Sequence, residues 1–258
     1  MKNKYFVYSL LLITIYLYLY ISLLKNVNLW IYDLKACFSV MNFTDFLENH
    51  LNVFFYLLLT SVMSIFLIKA SVNLFKDIFT GFQLLNALKK IKSKQYKNLY
   101  LIKDETVIAF NMFNKIFISE GALKKLSKDS LKAIFYHEIG HLKNFHSLKL
   151  LIINFSYNLL FLPQKKEFLK NALLELEVEA DKNALKFITM ENLAYTLLNI
   201  KEMRNSNLMM NTFTLDRLQI HFHEKKIELS KFYYLVLIFI FLATVIVNVY
   251  RTCFCGLM

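Results

Sequence analysis

Residues 127–145 read SKDSLKAIFYHEIGHLKNF, and this stretch decides what the rest of the chain is built around. Ser127 is a helix N-cap residue by type and position, and the spacing predicts a helix from there to about Phe145. On that helix His137 and His141 stand four residues apart, one turn apart on one face, where both imidazoles can reach a single metal ion. Glu138 is placed to act on a water held by that metal. With six His and twelve Glu in 258 residues, one H-E-x-x-H arises by chance at about 0.6%, so the motif is read as chemistry.

At 100° per residue, Glu138 falls in the middle of an apolar stripe made by Leu131, Ile134, Phe135, Leu142 and Phe145, with His141 at its edge. Lys132, Tyr136, Lys143 and Asn144 take the other side. A carboxylate on a core-facing stripe needs a partner, either a divalent metal with its water or a Lys or Arg from elsewhere. Gly140 inside the helix costs about 1 kcal/mol relative to Ala and fits a second helix approaching closely there.

Two histidines leave a catalytic zinc site one protein ligand short. The candidates lie in ELEVEAD, residues 175–181. On a helical wheel Glu175, Glu179, Lys182 and Lys186 share a polar face expected to be solvated. Glu177 lies almost opposite, beside Leu173, Ala180 and Ala184, and Asp181 follows one turn along the same side. Glu177 is therefore read as the third ligand and Asp181 as the group that holds a ligating histidine through its distal N–H. A structural ion pair is the alternative for both.

Outward from this centre the chain is strongly apolar, at 57% hydrophobic and 16% aromatic with one Pro and four Gly, which excludes a disordered or loop-rich protein and predicts mainly helix. Tyr5–Leu24, Leu51–Ile68 and Phe232–Tyr250 each approach the ~20 residues that cross a hydrocarbon core of ~30 Å, so three crossings are expected, the first as a retained anchor. Leu150–Leu162 reaches only ~20 Å and reads as a membrane-dipping or core helix. A full crossing there would put Glu177 and His137 on opposite sides of the membrane. With a cytoplasmic start, 28 of the 31 Lys and Arg fall inside, which places the middle region and the active site at the cytoplasmic face of a multi-pass protein of the cell membrane. The net charge of +12 is thus explained by membrane orientation, and no nucleic-acid partner is expected. Cys37, Cys253 and Cys255 lie at the outer side, either as a disulfide from Cys37 to the tail or as three separate thiols.

The resulting expectation is a mainly α integral membrane protein with residues 1–70 as a two-helix anchor, 71–231 as the catalytic domain and 232–258 as a last helix and tail. In the middle region, Ser71–Leu88 continues the second helix and Lys89–Lys97 is a basic connector at the lipid headgroups. Thr106–Phe110 and Lys115–Ser119, with Leu99–Ile102 as a third candidate, predict a short antiparallel sheet whose edge offers itself to an extended peptide. Helices follow at about Gln164–Ile188 and Glu191–Arg204, then a loop over Asn205–Thr214 and an amphipathic piece over Leu215–Lys226. There is no internal repeat.

The series IFISEGALKKLSKDSLKAIFYHEIGHLKNFHSLK (residues 116–149), a FLP segment and then ELEVEADKNAL resembles the membrane metallopeptidases of the BlaR/MecR type, the beta-lactam-sensing antirepressor peptidases. It is similar, more distantly, to the HtpX and CAAX prenyl endopeptidase group. Only 35 residues separate His141 from Glu177, which favours the first of these. The resemblance implies a gluzincin-type domain with one catalytic Zn2+ per chain on His137, His141 and Glu177 and Glu138 as general base. It also implies Arg217, in LDRL, as donor to the developing oxyanion, with His221 and His223 as rivals. Nothing like a penicillin-binding sensor follows the last span, so any signal is expected from a separate sensor or regulatory protein. The functional expectation is an endopeptidase cutting membrane-associated or cytoplasmic proteins; a catalytically silent membrane scaffold or signalling subunit is the competing class.

Overall fold

The computed structural model describes residues 3–40, 43–113, 115–159, 165–203 and 216–221, together with residues 235, 236, 238 and 242. Apart from those last four positions, the expected third span lies outside the described residues, as do the loop at Asn205–Thr214, the FLP segment, His223, Cys253, Cys255 and the side chain of Cys37. The chain divides into two compact units, Met1–Phe6 with Leu74–Asn154 and Leu162–Glu228, and Val7–Asn73 with Phe155–Phe161 and Leu229–Met258.

The second unit is built on two long helices, α1 (Lys4–Val40) and α2 (Phe43–Lys90). Within it the Tyr16 hydroxyl donates to the Met63 carbonyl at 2.7 Å and Tyr20 pairs with Ser64 at 3.0 Å. Leu12, Leu19 and Leu23 are buried, while Val7, Leu11, Tyr18, Ile21, Phe55, Ile65 and Ile68 are exposed. Lys4–Lys25 and Phe55–Lys90 are long and apolar enough to cross a membrane by length and composition. The helices overrun the expected 20- and 18-residue spans at both ends, because backbone hydrogen bonding continues through charged residues that hydropathy alone would stop at.

The first unit begins with a sheet of β1 (Lys92–Tyr96), β2 (Leu99–Ile102), β3 (Ala109–Met112) and β4 (Lys115–Ser119) in the order β1-β2-β4-β3. The expected antiparallel sheet is corrected here to a mixed one: β2 pairs parallel to β4, Leu99 opposite Ile116, while β1/β2 and β3/β4 are antiparallel. Period-two alternation specifies faces and leaves partners open. The partners follow from burial. Ile116 and Ile118 of β4 enter a core with Val107, Ala122, Leu126 and Ile134, and Phe117 enters a second core with Leu85, Leu88, Tyr100 and Ile102. A strand buried on both faces belongs in the interior, so β4 inserts beside β2 and pushes β3 outward. β4, paired on both sides, offers no free edge, and among the described residues β3 is paired on one side only. The strand expected at Thr106–Phe110 starts at Ala109, and the segment read as a basic connector carries β1, whose Lys-rich sequence hid an edge strand.

After the sheet come α3 (Glu120–Lys125), α4 (Lys128–Lys143), α5 (His146–Leu159), α6 (Lys165–Ala184) and α7 (Met190–Met203). Ser119, fully buried, joins sheet to α3: its hydroxyl donates to Thr106 O at 2.6 Å and accepts from the N–H of Ala122 at 3.0 Å. Gly121 is required beside it, since a Cβ there would lie 2.2 Å from Glu105 O. Ser127 caps α4 as expected, accepting from the N–H of Ser130. That helix stops at Lys143, Phe145 takes φ 53° and is 70% exposed, so its expected place on the apolar stripe is corrected: the wheel does not continue past the C-cap Asn144. At 14 residues α5 spans about 21 Å, too short to cross ~30 Å of hydrocarbon.

Candidate metal centre

α4 and α6 hold the centre, packed together at Gly140. A Cβ on Gly140 would lie 2.9 Å from Ala180 O and 3.0 Å from Ala180 Cα, so the glycine permits backbone contact that brings the two helices to ligand-sharing distance. In an open helix Gly→Ala stabilises by about 1 kcal/mol. Here the sign reverses: Gly140→Ala is expected to destabilise by about 1–3 kcal/mol through overpacking, read in thermal melts, and to lower bound metal with it. A more stable variant with full metal content would contradict this contact.

His137 and His141 turn their Nε2 atoms toward each other at 3.0 Å. Glu177 closes the triangle, with Oε2 3.3 Å from His137 Nε2 and Oε1 3.5 Å from His141 Nε2. Each of the three residues offers one atom within 4.8 Å of the others. Zinc–ligand bonds of about 2.0–2.1 Å at tetrahedral angles put ligand atoms about 3.3 Å apart. The separations found here bracket that value, so the donor set fits one zinc ion with a coordination position to spare.

Glu138 sits beside the ligands, 7% exposed, on the stripe with Ile134, and Asn111 of β3 donates to its Oε2 at 3.3 Å. Burial pushes the Glu138 carboxyl up from its ordinary value, a shift that His137 opposes and Glu177 adds to. Ser147 donates to the other end of the Asn111 amide at 3.2 Å.

Asp181, 0% exposed, lies 2.8 Å from His137 Nδ1, meeting the ring obliquely. Arg217, in the helical turn 216–221, grips the acidic helix: Nε donates to Asp181 Oδ2 at 3.0 Å, Nη2 donates to Oδ1, and Nη1 lies 3.1 Å from Glu177 Oε2. His221 Nε2 is 3.3 Å from Asp181 Oδ2. Burial works against ionising Glu177, and the Arg217 guanidinium with the two histidines outweighs it, holding the carboxyl at about 2. Asp181 is likewise well below the usual range, burial being overcome by Arg217. His137, though burial disfavours its charge, is pushed up to about 10 by Asp181 and Glu177, while burial takes His141 down to about 3.

The expectation of a solvated Glu175 and Glu179 is corrected. Glu175 is 3% exposed and accepts from the N–H groups of Lys4 and Tyr5, at 2.9 and 3.1 Å, capping the start of α1, which has no acidic residue of its own in its first turn. Glu179 is partly buried against His146 and Lys149. Lys182 and Lys186 are exposed as expected. Asn111, Ser147 and His146 escaped the sequence reading: the first is an isolated polar residue in an apolar strand, a detectable signal, and the other two lie beyond the helix end where the wheel loses phase.

The family model for peptidase family M48 matches residues 75–211, more than half of the chain and including both helices of this centre. The chain belongs to peptidase family M48. M48 proteins are metallopeptidases, usually with zinc, and the His-His-Glu group of this M48 chain is compatible with that metal. No curated protein matches this M48 chain.

Proposed function

We propose that the chain is a membrane-embedded zinc metalloendopeptidase that hydrolyses peptide bonds of membrane-associated or cytoplasmic proteins. The observation that carries the reading is the ligand triangle of His137, His141 and Glu177 with the buried Glu138 carboxyl beside it. Zinc, when bound there, supplies Lewis acidity toward the scissile carbonyl and toward water. Glu138 takes the proton from the attacking water and returns it to the leaving amine, and its raised affinity for protons suits both steps. Asn111 orients that carboxyl from the sheet.

The oxyanion role read for Arg217 is replaced in this proposal by a clamping one, because its three nitrogens already face Asp181 and Glu177. Ordered that way, Arg217 and Asp181 set the positions of a ligand from each helix. The substrate is an extended segment added to β3, the sheet edge that carries Asn111 toward Glu138, which favours recognition of backbone over side chains.

Embedding is supported by the exposed apolar side chains of the second unit and by the two helices of spanning length. The Lys and Arg distribution supports a cytoplasmic site, and the 35-residue interval between His141 and Glu177 supports a BlaR/MecR-like arrangement whose trigger comes from a separate sensor protein. The test is made on the full chain in detergent: about one zinc per chain, hydrolysis of an unfolded protein substrate, loss of that activity on chelation and its return with zinc. Protein without zinc, or hydrolysis indifferent to chelator, would sink the reading.

A further inference from the structure

His146 opens α5 outside the ligand set, 3% exposed, and is engaged at both ring nitrogens. Its Nδ1 lies 2.7 Å from Nδ1 of His141, and its Nε2 lies 2.9 Å from Oε2 of Glu179, which Lys149 Nζ approaches at 3.2 Å. If His141 presents Nε2 to a metal, its lone pair is there and its proton is on Nδ1. That proton points at Nδ1 of His146, which must therefore be bare. The His146 proton is then on Nε2 and donates to the Glu179 carboxylate. Every hydrogen along the line has one place, set at one end by the metal and at the other by a carboxylate.

We propose that His146 and Glu179 are positioning residues of the metal centre, fixing the tautomer and ring plane of His141 through an inserted imidazole. The inference rests on the zinc reading of the ligand triangle. It also accounts for an asymmetry between the two histidines. His137 meets its carboxylate, Asp181, directly at 2.8 Å, whereas His141 reaches Glu179 only through His146. The local backbone serves this arrangement: α4 ends at Lys143, Phe145 takes φ 53°, and the reversal returns the first residue of α5 to the distal nitrogen of His141. A continuous helix would carry residue 146 about 140° away from residue 141 on the wheel.

The test uses the full chain in detergent, stripped of metal and reloaded with zinc or cobalt(II). His146→Ala and Glu179→Ala are each expected to weaken zinc binding about 10–100-fold in chelator competition and to shift the visible bands of the cobalt form. The double variant is expected to bind no more weakly than the weaker single, since both break one line of hydrogen bonds. Where an alanine variant does not fold, His146→Leu and Glu179→Leu, which fill the space without an acceptor or donor, carry the same measurement. Asn183→Ala serves as control, because Asn183 donates to Tyr136 O between α4 and α6 without touching a ligand; it should lower the melting temperature and leave the cobalt bands in place. Wild-type affinity and an unshifted cobalt spectrum in the His146 variants, with zinc bound normally by wild type, overturn the positioning role alone. Wild type that takes up no zinc overturns the metal reading and this inference together.

Discussion

Glu138→Gln is expected to keep a full complement of zinc and to lose about 10²–10⁴-fold in peptide hydrolysis. The amide has the size of the carboxyl and can still accept from Asn111, so the packing around the stripe is kept. What it cannot do is accept a proton from water, and among the described residues the two neighbouring carboxylates are engaged elsewhere: Glu177 is in the ligand triangle and Asp181 is held by Arg217. Because the substrate path proposed along β3 does not use this group, the variant should hold substrates it cannot cut. Comparing membranes from cells carrying wild type and variant by quantitative proteomics then identifies proteins that accumulate with the variant. Hydrolysis undiminished in Glu138→Gln would remove Glu138 from the reaction, whatever the zinc content.

Asp181→Ala should be the most damaging single change to stability, at about 3–5 kcal/mol, with about 10–100-fold weaker zinc binding alongside. The carboxylate is wholly buried and receives two donors from Arg217 while lying against His137 and His221. Its loss leaves a buried guanidinium with Glu177 as its remaining carboxylate contact, and the cost is that of the uncompensated charge. A double variant, Asp181→Leu with Arg217→Met, removes both charges and should lose less than the two singles added together; strict additivity would mean the pair is not coupled. The sign of the pH dependence follows from the depressed carboxyl values. Folded-state values lowered below the unfolded ones give stability that is present above the ordinary carboxylate range and lost as pH falls toward about 2, the value for Glu177. Acid melts of wild type should show this loss, and Asp181→Ala should show less of it.

Helix α4, its N-cap and its two histidines were legible from local spacing, because side chains one turn apart on a helix are neighbours whatever the rest of the chain does. The same holds for Glu177 and Asp181, which the wheel separated from Glu175, and for Gly140, whose unfavourable place in a helix signalled a close neighbour. Glu175 and Glu179 were misread for an equally physical reason. A polar face facing solvent and a polar face satisfied by other protein groups have one periodicity, and only the partners, the N–H groups of Lys4 and Tyr5 and the ring of His146, tell them apart.

The sheet shows the same division. Its strands at Leu99–Ile102 and Lys115–Ser119 were visible as short β-type runs, but the parallel pairing of β2 with β4 and the edge position of β3 depend on which cores Phe117 and Ile118 enter. The sequence by itself determined the candidate donor set, since helical spacing puts His137 with His141 on one helix and Glu177 with Asp181 on another. Only the tertiary structure decided how that donor set is supported: that β3 takes the sheet edge beside Glu138, that Arg217 clamps two carboxylates, and that His146 stands behind His141. These are contacts between residues 5 to 40 positions apart, set by how helices and strands pack, and no local period encodes them.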